Sequence, residues 1–147
     1  MKEKSSGAGT GEGELILVID DHEEVLELMA FNLQGEGFRV ETAGDGLAAV
    51  NKAESSRPDL ILVDLILPEI NGFSLCELFR HSPATAKTPI IMISGWDYGM
   101  ARTIGLEAGA DDYVTKPFSF RDLIPRIKTL LVPRGEISLR PPDPQLT

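Results

Sequence analysis

The stretch LILVDLILPEING, residues 60–72, decides how the chain is read. Four apolar residues, Leu60-Ile61-Leu62-Val63, lead to one acid, Asp64; more apolar residues follow, and Pro68 with the Asn71-Gly72 pair then turns the chain. A short apolar run of this length bounded by turn residues has the pattern of a strand buried on both faces. A strand that ends on a carboxylate needs a reason for it, because an unpaired buried carboxylate is costly and is normally protonated or paired. Taken alone, Asp64 suits a loop cap or a single structural ion pair.

Working outward, the same unit recurs on both sides. LILVID (15–20) is an apolar run closed by acid, and HEEVLELMAFNLQGEG after it places Val25, Leu28, Met29 and Leu33 on one helical face. Acids occupy the first turn of that helix, and Gly35 and Gly37 stop it. FRVETA (38–43) is a strand and DGLAAVNKAESS (45–56) a helix, with Arg57-Pro58-Asp59 as a break before the strand ending at Asp64. FSLCELFRH, TPIIMIS (88–94), 98–108, ADDYVTK (110–116) and 119–131 continue as helix, strand, helix, strand and helix. Five strands alternating with five helices predict a doubly wound α/β sandwich on a parallel sheet.

Length and composition agree with one such domain. At 147 residues the chain holds one ordinary core, and its 42% hydrophobic and 25% charged content are in the globular range. The expected organisation is a flexible lead over 1–13, a domain over 14–131 and a Pro-rich tail over 132–147. No apolar run reaches the roughly 18 residues of a membrane span, and MKEKSSGAGTGEGE lacks the apolar centre of a signal peptide, so a cytoplasmic protein without membrane contact is expected. The single Cys76 excludes an internal disulfide and, beside Leu75, Leu78 and Phe79, is placed in the core. Net charge is −9, of which −8 belongs to the middle of the chain, which argues against direct nucleic-acid binding and for cations or basic partner surfaces.

The strand ends carry the chemistry. In open parallel sheets ligands bind beyond the carboxyl ends of the strands. Strand one ends in Asp20-Asp21, strand three in Asp64, strand four in Ser94 and strand five in Lys116, followed by Pro117. Three converging carboxylates repel unless a cation is present, and an all-oxygen set suits Mg²⁺. An ammonium and a hydroxyl across the site supply a point charge and a donor for a phosphoryl group. Together they spell a phosphoryl-transfer site with a carboxylate nucleophile.

VIDDHE, LVDLILPEING, IIMISG and DDYVTKPF resemble, in order and across about 14–131, the four signatures of the response-regulator receiver domain of two-component phosphorelay signalling. The resemblance implies a flavodoxin-like (βα)5 three-layer fold with strand order 2-1-3-4-5. It implies that Asp64 accepts a phosphoryl group from a sensor histidine kinase or phosphotransfer protein. It further implies that Mg²⁺ is held by Asp21 directly, by Asp20 mainly through water, by Asp64 and by the backbone carbonyl of Ile66. Ser94 would hydrogen-bond a phosphoryl oxygen, Lys116 would pair with Asp64 and then with the phosphoryl group, and Pro117 would follow a cis peptide. Tyr113 would swing between exposed and buried as Ser94 moves. Output would pass to a downstream effector through the face of the fourth helix, fifth strand and last helix, from a monomer or a phosphorylation-dependent dimer. The expected role is a signalling switch that catalyses only its own phosphorylation and dephosphorylation. No effector-sized segment follows residue 131, so the chain is expected to act on its own through another protein, as chemotaxis regulators do, or to be a fragment of a longer regulator.

Each residue has a plainer alternative: Asp21 as a cap of the first helix, Tyr113 as a half-buried strand residue, Ser94 and Lys116 as surface residues. Two other functions compete as wholes: a Mg²⁺-dependent phosphohydrolase working through an aspartyl phosphate, and a receiver-like interaction module that is never phosphorylated. The absence of a spare acid after Asp64 and of a cap insertion argues against the first; the complete set of Asp20, Asp21, Asp64, Ser94 and Lys116 argues against the second. Three departures from the family pattern stand out. Ile66 and Trp96, each two residues past a site residue, predict apolar cover that slows loss of the phosphoryl group, although Trp96 equally suits packing on its loop. Gly95 follows Ser94 where the family often has Ala, loosening that loop. Pro125 falls inside the last helix and predicts either a late start at Asp122 or a kink.

Overall fold

The computed structural model describes residues 13–95 and 98–132. Five strands and five helices alternate: β1 (Leu15–Ile19), α1 (Glu23–Gly35), β2 (Arg39–Ala43), α2 (Gly46–Ser56), β3 (Leu60–Asp64), α3 (Gly72–Arg80), β4 (Ile90–Ser94), α4 (Tyr98–Ala108), β5 (Asp112–Thr115) and α5 (Phe120–Leu131). The strands form one parallel sheet in the order β2-β1-β3-β4-β5. The predicted lead and tail lie outside the described residues apart from Gly13 and Val132, and so does Trp96.

Every residue of β1, β3 and β4 is buried, as their unbroken apolar runs require. Alternation along these strands splits the core in two. One half contains Leu17, Ile19, Ile61, Val63, Ile90, Met92 and Tyr113 under α2, α3 and α4. The other contains Ile16, Val18, Leu60, Leu62, Ile91, Ile93 and Val114 with Met29, Leu33, Leu123 and Ile127 of α1 and α5. Cys76 is fully buried in the first half, and burial pushes its thiol up to about 11, so it is packed as a hydrophobe, as expected.

Two aspartates fasten the edge of the sheet opposite the site. Asp59 accepts the Leu15 N–H at 2.7 Å while its own N–H donates to the Leu15 carbonyl at 2.7 Å. Asp111 repeats the arrangement with Ile90, at 2.9 and 2.7 Å. Arg80, at the end of α3, then joins this corner: its guanidinium donates to Asp111 (2.9 Å) and to the carbonyls of Gly109 (2.9 Å) and Thr88 (2.7 Å). Both Asp59 and Asp111 satisfy a backbone N–H that begins a strand, where no preceding turn of ladder exists to do it.

Three expectations are corrected. Leu28 does not join the core face of α1; it is 56% exposed, and Val25, Met29 and Leu33, spaced by four, take the contact instead. Leu78 likewise faces solvent, while Leu75, Cys76 and Phe79 turn inward. The last helix does not start late: Ser119 is its N-cap, its hydroxyl accepting from the Asp122 N–H, and the helix runs through Pro125 to Leu131. Proline there leaves the Arg121 carbonyl without its helical donor. The buried anchors Leu123 and Ile127 on either side hold the helix regardless. Pro125→Ala restores that hydrogen bond, and urea unfolding is expected to show a gain of about 1–2 kcal/mol.

Candidate functional site

The parallel register brings the strand ends level. Ile19 pairs with Val63, Asp64 with Ile93, and Ser94 with Thr115, so Asp20, Asp64, Ser94 and Lys116 arrive at one edge. Backbone bonds extend the sheet just past its strands: Asp20 N–H donates to Ala43 O (3.1 Å), Leu65 to Ile93 (3.0 Å) and Lys116 to Ser94 (2.8 Å). These bonds hold the polar residues at a set depth. Asp20, Asp64 and Ser94 are buried, whereas Asp21 stands at the surface.

The ammonium of Lys116 lies 3.6 Å from Asp64 Oδ1 and 3.6 Å from Asp20 Oδ2, spanning the two buried acids. Burial pushes the Asp64 carboxyl above the usual carboxylate range; Lys116 opposes the rise, Asp20 adds to it, and the Ile66 N–H opposes it by donating to the carboxylate. A buried pair of acids sharing one lysine carries one negative charge too many. On the solvent side, Asp20, Asp21, His22 and Asp64 each bring a ligand atom to within 4.8 Å of the others. Three carboxylates at that spacing fit a hard divalent cation such as Mg²⁺.

His22 was not singled out from the sequence. It is the N-cap residue of α1, so Asp21 is not the cap, and its backbone N–H donates to Asp20 Oδ1 at 2.8 Å. Its ring Nδ1 lies 3.1 Å from Asp20 and 3.1 Å from Asp21, and its pKa is raised by the hydrogen bond to Asp20 first and the charge of Asp21 second.

The loop after Asp64 is shaped by a close approach. A side chain at Gly72 would sit 2.9 Å from the Asp64 carbonyl oxygen and 2.9 Å from Leu65 Cα, so only glycine lets α3 start against the backbone of Asp64. Asn71 caps α3 by accepting the Ser74 N–H at 2.9 Å, and Glu69 takes the left-handed conformation (φ 71°). Ile66, two residues past Asp64, is 49% exposed. The Lys116–Pro117 peptide is cis, as implied by the resemblance.

Tyr113 is fully buried and on the same face of the sheet as Ser94, because it pairs with Met92 two residues before it. Helix α4 lies over it through Gly105, where an added side-chain carbon would be 3.3 Å from both the Tyr113 ring and Met92 Sδ. This seat was invisible in the sequence, where Gly105 is an isolated glycine in a helical pattern. Also missed were Phe118 and Phe120, an edge-to-face pair 5.6 Å apart just after Pro117. Phe31 of α1 was missed as well; it is 76% exposed and lies one turn from the exposed Leu28.

A parallel sheet in the order 2-1-3-4-5 with an acid triad, a hydroxyl and a lysine at its carboxyl edge defines a class, the receivers of two-component signalling. The response regulator receiver domain family matches residues 16–128, and the chain belongs to it. It is 43% identical over 123 residues to the alkaline phosphatase synthesis transcriptional regulatory protein PhoP of Bacillus subtilis, covering 84% of this chain and 50% of that one. It is 41% identical over 116 residues to the sensory transduction protein RegX3 of Mycolicibacterium smegmatis, covering 79% and 50%. The chain thus spans about half the length of these curated relatives. Among solved structures, it superposes on a response regulator from Chloroflexus aurantiacus with TM-score 0.79 at 34% identity, covering 83% of this chain and 100% of that one. The chemotaxis response regulator CheY4 of Vibrio cholerae gives 0.77 at 29% identity, covering 82% and 100%. Among the described residues, no helix is long and apolar enough to cross a membrane.

The raised pKa of Asp64 has a consequence for stability. Between the ordinary carboxylate pKa and the raised folded value, the folded state holds more protons than the unfolded state, so stability contributed by this group falls as pH rises through that window. Asp64→Asn removes the charge. In chelator at neutral pH the variant is expected to be more stable than wild type, with the gain shrinking as pH falls toward the ordinary carboxylate range. Parallel urea titrations across that pH range measure it.

Proposed function

We propose that the chain is a cytoplasmic phosphoacceptor switch in which Asp64 takes a phosphoryl group from a histidine kinase or phosphotransfer protein. The observation that carries this reading is the buried Asp64 at the carboxyl end of β3, 3.6 Å from the Lys116 ammonium and within 4.8 Å of two further acids. A carboxylate oxygen of Asp64 attacks phosphorus, the bond from phosphorus to the donor's imidazole nitrogen breaks, and the imidazole leaves with that electron pair. Bound Mg²⁺ would neutralise the charge building on the phosphoryl oxygens. Asp20, Asp21 and Asp64, with the Ile66 carbonyl, would hold it. Lys116 stands ready to move from the carboxylates to the phosphoryl group, and Ser94 to donate its hydroxyl. The protein thereby catalyses only its own phosphorylation and dephosphorylation.

The switch follows from the shared face of Ser94 and Tyr113. Drawing Ser94 toward the phosphoryl group changes the space beside Tyr113, and α4, seated on that ring through Gly105, is the element whose population shifts. The face of α4, β5 and α5, where Met100 and Ile104 stand exposed, passes the change to a downstream effector or to a second copy. On the other side, Leu28 and Phe31 lie on the helix that follows Asp21 directly, which makes α1 the seat for the phosphodonor protein.

Incubation with Mg²⁺ and acetyl phosphate tests the assignment. Wild type is expected to gain one phosphoryl group by intact-mass measurement, and Asp64→Asn none; an unlabelled wild type refutes the proposal. In the same assay Ile66→Asn is expected to lose its phosphoryl group several-fold faster, on the order of 1 kcal/mol off the hydrolysis barrier.

Phe31→Ala, with Leu28→Ala, is expected to slow transfer from a phosphorylated histidine kinase by about tenfold or more. Labelling by acetyl phosphate, which needs no docking helix, remains at the wild-type rate. Equal loss with both donors would remove α1 from the docking role.

A further inference from the structure

One of the four groups converging at the acidic edge is not a carboxylate. The Nδ1 of His22 lies 3.1 Å from an oxygen of Asp20 and 3.1 Å from an oxygen of Asp21, inside the set whose ligand atoms fall within 4.8 Å of one another. The ring is not packed into this position, since the side chain is 63% exposed. It is held there by its contacts with the two acids and by the chain, whose His22 N–H donates to the same Asp20 oxygen that faces the ring, at 2.8 Å. Although His22 is the N-cap residue of α1, its side chain makes no capping hydrogen bond, so helix capping does not account for its orientation.

A nitrogen in such a set changes which dication is favoured. Mg²⁺ is hard, prefers oxygen and dehydrates reluctantly, and gains little from an imidazole. First-row transition dications gain more, in the order Mn²⁺, Fe²⁺, Co²⁺, Ni²⁺. We infer that His22 is a nitrogen ligand to the dication held by Asp20, Asp21 and Asp64, and that it tilts the site from Mg²⁺ toward a transition metal such as Mn²⁺. The inference rests on the metal-assisted phosphoacceptor proposal and adds the metal's identity to it. A histidine acting only as a neighbouring charge would move the affinities of all dications together; a ligand moves them apart.

The test titrates the full chain with Mn²⁺, counting free ion by electron paramagnetic resonance at about pH 8, which favours the neutral imidazole that a ligand must be. Mg²⁺ competition follows, for wild type and His22→Gln. Wild type is expected to show spin-echo modulation from a coordinated ring nitrogen. His22→Gln loses that modulation and about tenfold in Mn²⁺ affinity, while Mg²⁺ affinity changes by less than about threefold. Mn²⁺ bound to wild type without nitrogen modulation, or an equal loss for both ions in the variant, overturns the ligand role and leaves the dication site standing. If wild type binds neither ion, the dication site itself falls, and this inference with it.

Discussion

Two carboxylates buried side by side, with one lysine between them, set the terms for the rest of the molecule. Asp20 and Asp64 are both almost out of solvent, and Lys116 reaches each at 3.6 Å without neutralising both. Such an arrangement persists only because the surrounding sheet over-determines it. The three central strands are wholly buried, the ladder continues one residue past the ends of β1, β3 and β5, and Gly72 presses α3 against the backbone of Asp64. Residual negative charge at the mouth of the site suits it to a cation.

The two ends of the sheet have different work. At the amino edge, Asp59 and Asp111 are used up in satisfying the first N–H of β1 and β4, and Arg80 binds that corner to the ends of α3 and α4. Polar groups there are paired and structural. At the carboxyl edge, the acids face one another and a single ammonium. The chain places its stabilising hydrogen bonds at one end and its electrostatic conflict at the other, so a change of charge at the site need not unfasten the sheet. Packing above the sheet is close: Tyr113 and Met92 lie under Gly105, and α4 rests on them with no side chain in between.

The strands, their order of appearance and the residues at their ends were legible because each is a local pattern. A four- or five-residue apolar run closed by an acid, a serine or a lysine declares both the strand and the edge at which its polar residue emerges. The helix faces were less legible. Leu28 and Leu78 fit a 3.6-residue period within the spread of a broad apolar stripe, and only the position of the sheet shows that they stand on its outer margin. For Pro125, propensity left a late start and a kink both open; the Ser119 cap and the burial of Leu123 and Ile127 decide against the late start.

The sequence by itself determined the alternation of five strands and five helices, the acids, hydroxyl and lysine available to the site, and, through their likeness to a family, the roles expected of those residues. Only the tertiary structure decided which of them meet. Register between strands distant in sequence puts Lys116 between Asp20 and Asp64, and the turn into α1 sets His22 against two acids. Packing of α4 on the sheet makes Gly105 the seat of Tyr113. Those outcomes depend on distances between segments that local propensity does not encode; they arise when the apolar strands pair and leave their charged ends nowhere else to go.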